Sequence, residues 1–304
     1  MRMQCLGKYP KAKEEIEMTK KLTRRSFVRA GIIGAGAIAL AACSSAEQAP
    51  AADSAETAET AETAVLTIAA TPEPHARILN EFAAPRLAEQ GIAIEVTEFT
   101  DYVQPNEVVF NGELDANYFQ HINYLRDYNE QNGEDLVAVA KIHYEPFGIF
   151  AGKSDDLAAV PDGAEIAVPN DPTNEARALL LVQQAGLITL DASAGLSATP
   201  NDISDNPHEI TFREIEAAAT PRALEDVDFA AINGNYALEA GLHAADALVL
   251  EEASGIAFDE YANVIATRPE LEDDARIAAL VEVLTSADFA TWLADNYGQD
   301  VLPA

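Results

Sequence analysis

From Val65 onward the apolar residues follow two alternating rhythms. Short, nearly continuous apolar runs read as buried strands, and apolar residues every three or four positions read as helices. The first kind predicts strands at Val65–Ala69, Leu114–Tyr118, Leu136–Tyr144, Ile166–Val168, Ile210–Glu214, Phe229–Ile232 and Ala262–Thr267, with Ile92–Phe99 alternating as a strand does. The second predicts helices at Ala76–Gln90, closed by Gly91, and at Val103–Asn111, His121–Asn132, Thr220–Leu224, Asp273–Thr285 and Ser286–Asn296. Thr71–His75 reads as a turn opening the first helix, and Glu145–Gly152 as a crossing segment. Strands and helices that alternate at these lengths argue an open α/β sheet rather than a helical bundle.

One stretch organises the rest. Ala164–Ala185 reads as a buried strand, a polar turn at Pro169–Thr173 and an amphipathic helix. Asp171 or Thr173 can cap that helix, and Pro172 sits where a first-turn proline is tolerated. A helix start presents unpaired N–H groups and favours an anion. Helical side chains lean back toward the N-terminus, so the Arg177 guanidinium can reach the same place, with Asn174 beside it. The expectation is a pocket for a small carboxylate.

The first residues follow another logic. Met18 opens a basic segment, and translation is expected to start there; Ala30–Ala42 is an apolar run ending at Cys43. A run of this length is the core of an export signal, since a membrane span needs about 20 residues. Thr23-Arg24-Arg25-Ser26-Phe27-Val28 resembles a twin-arginine export signal, and Leu40-Ala41-Ala42-Cys43 resembles a bacterial lipobox, which implies cleavage before Cys43 and lipidation of its thiol. Residues 44–64 repeat Ala-Glu-Thr, lack apolar periodicity and are expected to form a disordered acidic tether. It would span about 25 Å as a coil. The implied location is the extracytoplasmic face of a bacterial membrane.

Charge then narrows the function. The chain carries 51 acidic and 19 basic side chains; the first 43 residues hold three and nine of these, leaving 48 acidic against 10 basic. Such a surface repels phosphates and excludes nucleic-acid binding. It otherwise speaks to solubility rather than fold. The two cysteines, Cys5 and Cys43, both precede the region expected to fold, so no disulfide framework or cysteine-based zinc site is available. No nucleophile elbow, P-loop, dinucleotide fingerprint or zinc-protease motif occurs, and the expectation is a protein with no catalytic residue and no cofactor.

Candidate chemistry gathers in five clusters: Asn170, Asn174 and Arg177; Thr100–Pro105, with Tyr102; Asn117–Tyr124, with Phe119, His121 and Tyr124; His143–Pro146, with Glu145; and Asn233–Tyr236 together with Asn263. In open α/β sheets ligands sit beyond the carboxyl ends of strands. Asn117 and Asn233, each read as following a short strand, would then approach one cleft from opposite sides. Asparagine amides offer donor and acceptor together. A carboxylate clamp, an ammonium acceptor and an aromatic wall describe a free amino acid. A divalent-metal site built from His75, His121, His143 and Glu145 competes with this reading, although these residues lack a local ligand motif.

Thr71-Pro72-x-Pro74-His75, Phe99–Pro105, Leu114–His121, Pro169–Leu179 and Ala231-Ile232-Asn233 resemble, in order, the NlpA-type lipoproteins, substrate-binding proteins of methionine ABC transporters. The resemblance runs from about Val65 to Pro303, with Glu73 standing where the family more often has a small or apolar residue. It implies a two-lobed periplasmic-binding-protein-like α/β fold of type II with the ligand in the interlobe cleft. The lobes would be 65–146 with a return at 255–304, and 147–254. It further implies capture of L-methionine and delivery to a membrane permease driven by an ATPase. Carried over by motif, Arg177 would hold the carboxylate with Asn174 adjacent. Asn233 and Asn263 would bind the head group, Glu145 would face the ammonium, and Tyr102, Phe119, His121 and Tyr124 would wall the thioether. Alternatives are another ligand (D-methionine, a methionine dipeptide, a divalent metal), or a surface adhesin with a vestigial pocket.

Overall fold

The computed structural model describes residues 64–253 and 256–304. The export signal, Cys43 and all of the tether but Ala64 lie outside the described residues. The strands are β1 (Ala64–Ala70), β2 (Ile92–Glu98), β3 (Ala116–His121), β4 (Val137–Tyr144), β5 (Gly148–Ala151), β6 (Glu165–Pro169), β7 (Thr189–Leu190), β8 (Ile203–Asp205), β9 (Thr211–Ile215), β10 (Phe229–Ile232), β11 (Val249–Leu250), β12 (Ala262–Thr267) and β13 (Leu302–Pro303). They form a six-stranded sheet in the order β13-β4-β12-β3-β1-β2, a five-stranded sheet in the order β11-β5-β10-β6-β9, and a small β7-β8 pair.

The chain leaves the first sheet after Tyr144, builds the second, and comes back as β12, which inserts antiparallel between β3 and β4. A returning strand inside the first sheet, with β1 parallel to both β2 and β3, is the type II arrangement of two-lobed binding proteins. Each sheet has its own core. Leu66, Ile68, Phe82, Tyr118, Ile265, Leu280 and Phe289 pack in the first, and Phe147, Ile166, Val168, Leu179 and Phe229 in the second. Central strands β3 and β10 are buried at every position, which is why their sequences read as continuous runs rather than alternations.

Four local expectations change. The helix expected at Ala76–Gln90 is wound wide over Ile78–Ala83, becoming α-helical only at Ala84–Ala88, and Glu73 ahead of it is extended. Pro85 has no N–H to return to the Glu81 carbonyl, and the wide turn lies just ahead of it. β3 starts later and runs three residues further than expected, because β12 pairs with it as far as His121. Asn117 is therefore mid-strand rather than at a strand end. It is fully buried, and its Nδ2 donates to Asn106 Oδ1 at 2.8 Å and to the Pro105 carbonyl at 3.2 Å, so it does not face Asn233 across a cleft. Finally, half of the segment expected to cross between lobes is β5, which pairs antiparallel with β10 from Gly148 to Ala151. Only Glu145–Phe147 separates β4 from β5.

Gly152 ends β5 against backbone: a Cβ there would lie 2.8 Å from the Leu224 carbonyl oxygen and 3.0 Å from that of Asp228, with the Val227 carbonyl closer still. Backbone oxygens cannot swing aside as a side-chain tip can. Gly152→Ala is expected to lower the unfolding free energy by about 2–3 kcal/mol, as overpacking does. A urea titration checks this as a drop in midpoint at constant slope.

Candidate functional site

The Ala164–Ala185 stretch supplies the site's frame. Asp171 is the N-cap of the helix Pro172–Gln184, with Oδ1 accepting the Asn174 N–H at 2.9 Å. The anion at this helix start is therefore the chain's own carboxylate, and the expected external anion site at the N–H groups is filled. The same carboxylate takes both bonds of the Asn174 Nδ2, each at 3.0 Å, so Asn174 must turn its Oδ1 inward. That oxygen accepts from Asn233 Nδ2 at 2.8 Å and meets His121 Nε2 at 3.2 Å. His121 caps the helix Ile122–Asn132 with Nδ1, which accepts the Tyr124 N–H at 3.0 Å; its proton accordingly sits on Nε2. Asn233 and His121, from different sheets, are thus keyed to one amide.

Arg177, one turn along, is buried at 4 % exposure and turns away from the helix start. Its Nε donates to Glu251 at 3.0 and 3.1 Å, and its Nη2 to Glu251 Oε2 at 2.6 Å and to the Glu145 carbonyl at 3.0 Å. The guanidinium lies over the Tyr261 ring at 4.2 Å. Burial works against its charge, yet Glu251 opposite and the nearby Tyr144 and Tyr261 hold its pKa above the ordinary value. Among the described residues, Nη1 takes no partner.

These groups line a pocket between the two sheets. The nine residues given ligand-binding roles from sequence line it: Tyr102, Phe119, His121, Tyr124, Glu145, Asn174, Arg177, Asn233 and Asn263; the candidates Asn117 and Asn170 do not. The aromatic side is a cluster, with Tyr102 centred 5.8 Å from Phe119 and 5.7 Å from Tyr124. Alternation along β3 puts Phe119 and His121 on one face.

Gln120, Gly234 and Asn235, which lay in the candidate clusters without a role of their own, also line it, and sequence reasoning missed Glu251 behind it. Gly234 has a physical requirement: a Cβ there would sit 2.7 Å from the Glu145 Cβ. Asn235 Oδ1 accepts from the Tyr102 hydroxyl at 2.5 Å. Asn233–Tyr236 stood out as a polar stretch, but nothing local marks Glu251 among so many acids.

Glu145 rests on two imidazoles. His143 Nε2 lies 2.7 Å and His75 Nε2 3.4 Å from its Oε1. His75 Nε2 also meets Asn263 Oδ1 at 3.1 Å, while Thr71 Oγ1 at 2.7 Å and the Tyr118 hydroxyl occupy the Nδ1 atoms of His75 and His143. His75, His143 and Glu145 have a metal-like donor set, with ligand atoms within 4.8 Å of one another. His121, the fourth member of the expected metal set, lies with Asn174 instead. All four ring nitrogens of the pair are engaged in hydrogen bonds, and each Nε2 carries the proton it donates. The trio is a closed network that supports a carboxylate at the pocket wall. Burial raises the Glu145 pKa, against the pull of His75 and Arg177.

The family model of NlpA lipoproteins matches residues 66–304. The chain belongs to the NlpA lipoprotein family. It is 39 % identical over 243 residues to the methionine-binding lipoprotein MetQ of Bacillus subtilis, covering 78 % of this chain and 87 % of that protein. It is 34 % identical over 265 residues to the D-methionine-binding lipoprotein MetQ of Salmonella typhimurium, covering 86 % and 91 %. The structure of a nutrient-binding protein from Burkholderia cenocepacia bound to methionine superimposes with a TM-score of 0.74 at 37 % identity, covering 79 % of this chain and 99 % of that one. For an NlpA lipoprotein, a two-lobed fold with a polar-and-aromatic cleft is the architecture of a substrate-binding protein.

The histidines provide a check on the site's electrostatics. Burial lowers His75 to about 4, partly opposed by Glu145. Burial lowers His143 to about 3, and burial with Arg177 nearby lowers His121 to about 3. Asp300 raises the exposed His243. In an NMR titration from about pH 8 to 5, His243 is expected to protonate while the three buried imidazoles stay neutral, although free histidine titrates near 6.5. Protonation of His75 or His143 near pH 6 would refute the closed network.

Proposed function

We propose that this protein binds L-methionine in the interlobe pocket without chemical change. In this reading it is held at the extracytoplasmic face of the membrane by lipid on Cys43 and passes the amino acid to a permease and its ATPase. The observation that carries the reading is a set of polar atoms left over once the internal bonds are counted. Asn233 Oδ1 and Asn235 Nδ2 are buried without a partner among the described residues, and both residues line the pocket together with Arg177, whose hydrogen bonds there run from Nε and Nη2. An unpaired buried polar group costs about 1–3 kcal/mol, so these atoms call for a ligand that brings both donors and acceptors. A zwitterionic head group does so. Its carboxylate would accept from Arg177 Nη1 and Asn235 Nδ2. Its ammonium would donate to Asn233 Oδ1 and the Glu145 carboxylate.

The aromatic cluster of Tyr102, Phe119 and Tyr124 suits a thioether, since sulfur packs favourably against ring edges. The methionine named for the relatives and the methionine-bound neighbour support the same side chain. Relatives named for D-methionine make the enantiomer a question for measurement.

Isothermal titration with both enantiomers and the other amino acids tests the proposal. L-Methionine is expected to bind most tightly; heat only with D-methionine, with another amino acid or with zinc would replace it. Arg177→Ala is expected to weaken binding by about 2–5 kcal/mol, because it removes the carboxylate's donor and leaves Glu251 buried and unpaired. A change below tenfold would remove Arg177 from the role.

A further inference from the structure

The hydrogen bonds that bridge the two lobes around the pocket join uncharged groups. The Tyr236 hydroxyl donates to the Thr100 carbonyl at 3.2 Å, the Tyr102 hydroxyl to Asn235 Oδ1 at 2.5 Å, and His121 Nε2 to Asn174 Oδ1 at 3.2 Å. Among the described residues a single ion pair joins the lobes, and it lies outside the pocket lining. His243, beyond the helix Gly234–Glu239 of the second lobe, places Nδ1 2.7 Å from Oδ2 of Asp300. Asp300 belongs to the first lobe, since Leu302 just after it pairs with Tyr144 of β4.

Asp300 is clasped from the other lobe at both oxygens. Oδ1 accepts the Ala244 N–H at 2.7 Å and Oδ2 faces the imidazole; its side chain is 13 % exposed, against 60 % for His243. The other acid near the ring is Asp246, on the turn Ala244–Asp246, whose Oδ2 accepts the His243 N–H at 2.9 Å. The clasp sits beside the crossing, where Ala244, Asp300 and Pro146 line one hollow. A rotation that parts these groups by about an ångström breaks both bonds, because hydrogen bonds do not survive such a stretch. Asp300 then returns to water, and His243 loses its counter-charge.

We propose that the His243–Asp300 pair is a proton-operated latch on lobe closure: protonated His243 favours the closed form, and methionine binds more tightly as pH falls from about 8 to about 6. This rests on the methionine reading of the pocket. The Asp300 hydrogen bond and then its charge raise the His243 pKa in the closed form, against a little desolvation. The extra affinity is therefore fully present below the ordinary histidine value near 6.5, and it is lost as pH rises through the raised value. By reciprocity, methionine raises the His243 pKa by the same factor that protonation raises affinity. Solvent at the ring keeps that factor to a few-fold. Two further acids add to the overall pH dependence. Burial, and then the charges of Glu145, Glu73 and Glu98, raise Glu239 to about 7, so its protonation also favours approach of the lobes. Burial raises Glu145, and an arriving ammonium would favour its charged form, with the opposite sign. The shift at His243 itself is accordingly the deciding quantity.

The test is an NMR titration of the purified, histidine-labelled protein from about pH 5 to 8.5, without and with saturating L-methionine. The His243 midpoint is expected to rise by at least about 0.3 pH units with methionine, a twofold or greater gain in affinity on protonation. His208, whose partner Asp162 at 3.5 Å lies in the same lobe, is the control for effects of binding other than closure. Asp300→Asn keeps the shape and an acceptor oxygen but removes the charge, and the methionine-dependent rise is expected to vanish. A purely structural role for Asp300 would alter overall affinity and leave the rise in place. A His243 midpoint that rises by less than about 0.3 units, falls, or rises as far in Asp300→Asn overturns the proposal. The wild-type midpoints decide alone if the variant does not fold. Calorimetric binding of methionine with an unmoved His243 removes the latch only, whereas no binding of methionine removes the methionine reading and the latch together.

Discussion

A guanidinium buried where the two sheets meet cannot be left alone, and much of the junction is arranged around that fact. Stripping water from a charge costs several kcal/mol, recovered only if a counter-ion and further hydrogen bonds are in place. Glu251 provides the counter-ion, the Glu145 carbonyl a further acceptor, and the Tyr144 hydroxyl a donor that steadies Glu251 in turn. These residues come from the end of β4, from the link into β5 and from the residue after β11, which are the places where the chain passes between sheets. Packing at the crossing and presentation of Arg177 are therefore one requirement rather than two.

The rest of the pocket is organised by two-ended side chains. Asp171 consumes one end of the Asn174 amide, which orients the other; that oxygen orients Asn233 and His121; and the His121 ring is fixed again by the Tyr124 N–H. Nothing in this sequence of constraints needs a ligand to set it. The atoms left over at its end, Asn233 Oδ1 above all, are presented in fixed directions before anything binds, which spares the ligand part of the ordering cost.

What the sequence disclosed follows the same division between local and remote causes. β1, β6 and β10 are legible because strands covered on both faces must be continuously apolar, and Asp171-Pro172 marks a helix start by its own chemistry. Phe119, His121 and Tyr124 could be grouped from spacing alone. The extra length of β3 could not, because it is imposed by β12, far along the chain. Nor could β5, whose partner β10 makes a strand of residues that read as a connection. Asn117 was misplaced by the same error in β3. Glu251 has no local signature at all: it matters only because folding brings it beside Arg177.

The insertion of β12 between β3 and β4 also bears on how the molecule comes to be made. Both neighbours present open edges until a strand arrives from beyond the whole of the second lobe. A chain emerging from its N-terminus therefore cannot finish its first lobe first. The centre of that sheet is closed late, by a contact of high sequence separation, and such closure is entropically slow. Until then the unpaired edges of β3 and β4 are the part of the nascent protein most open to pairing with another chain. The lobes look separable in the finished fold, but neither a gene truncated after the first lobe nor a ribosome paused there would hold a completed domain.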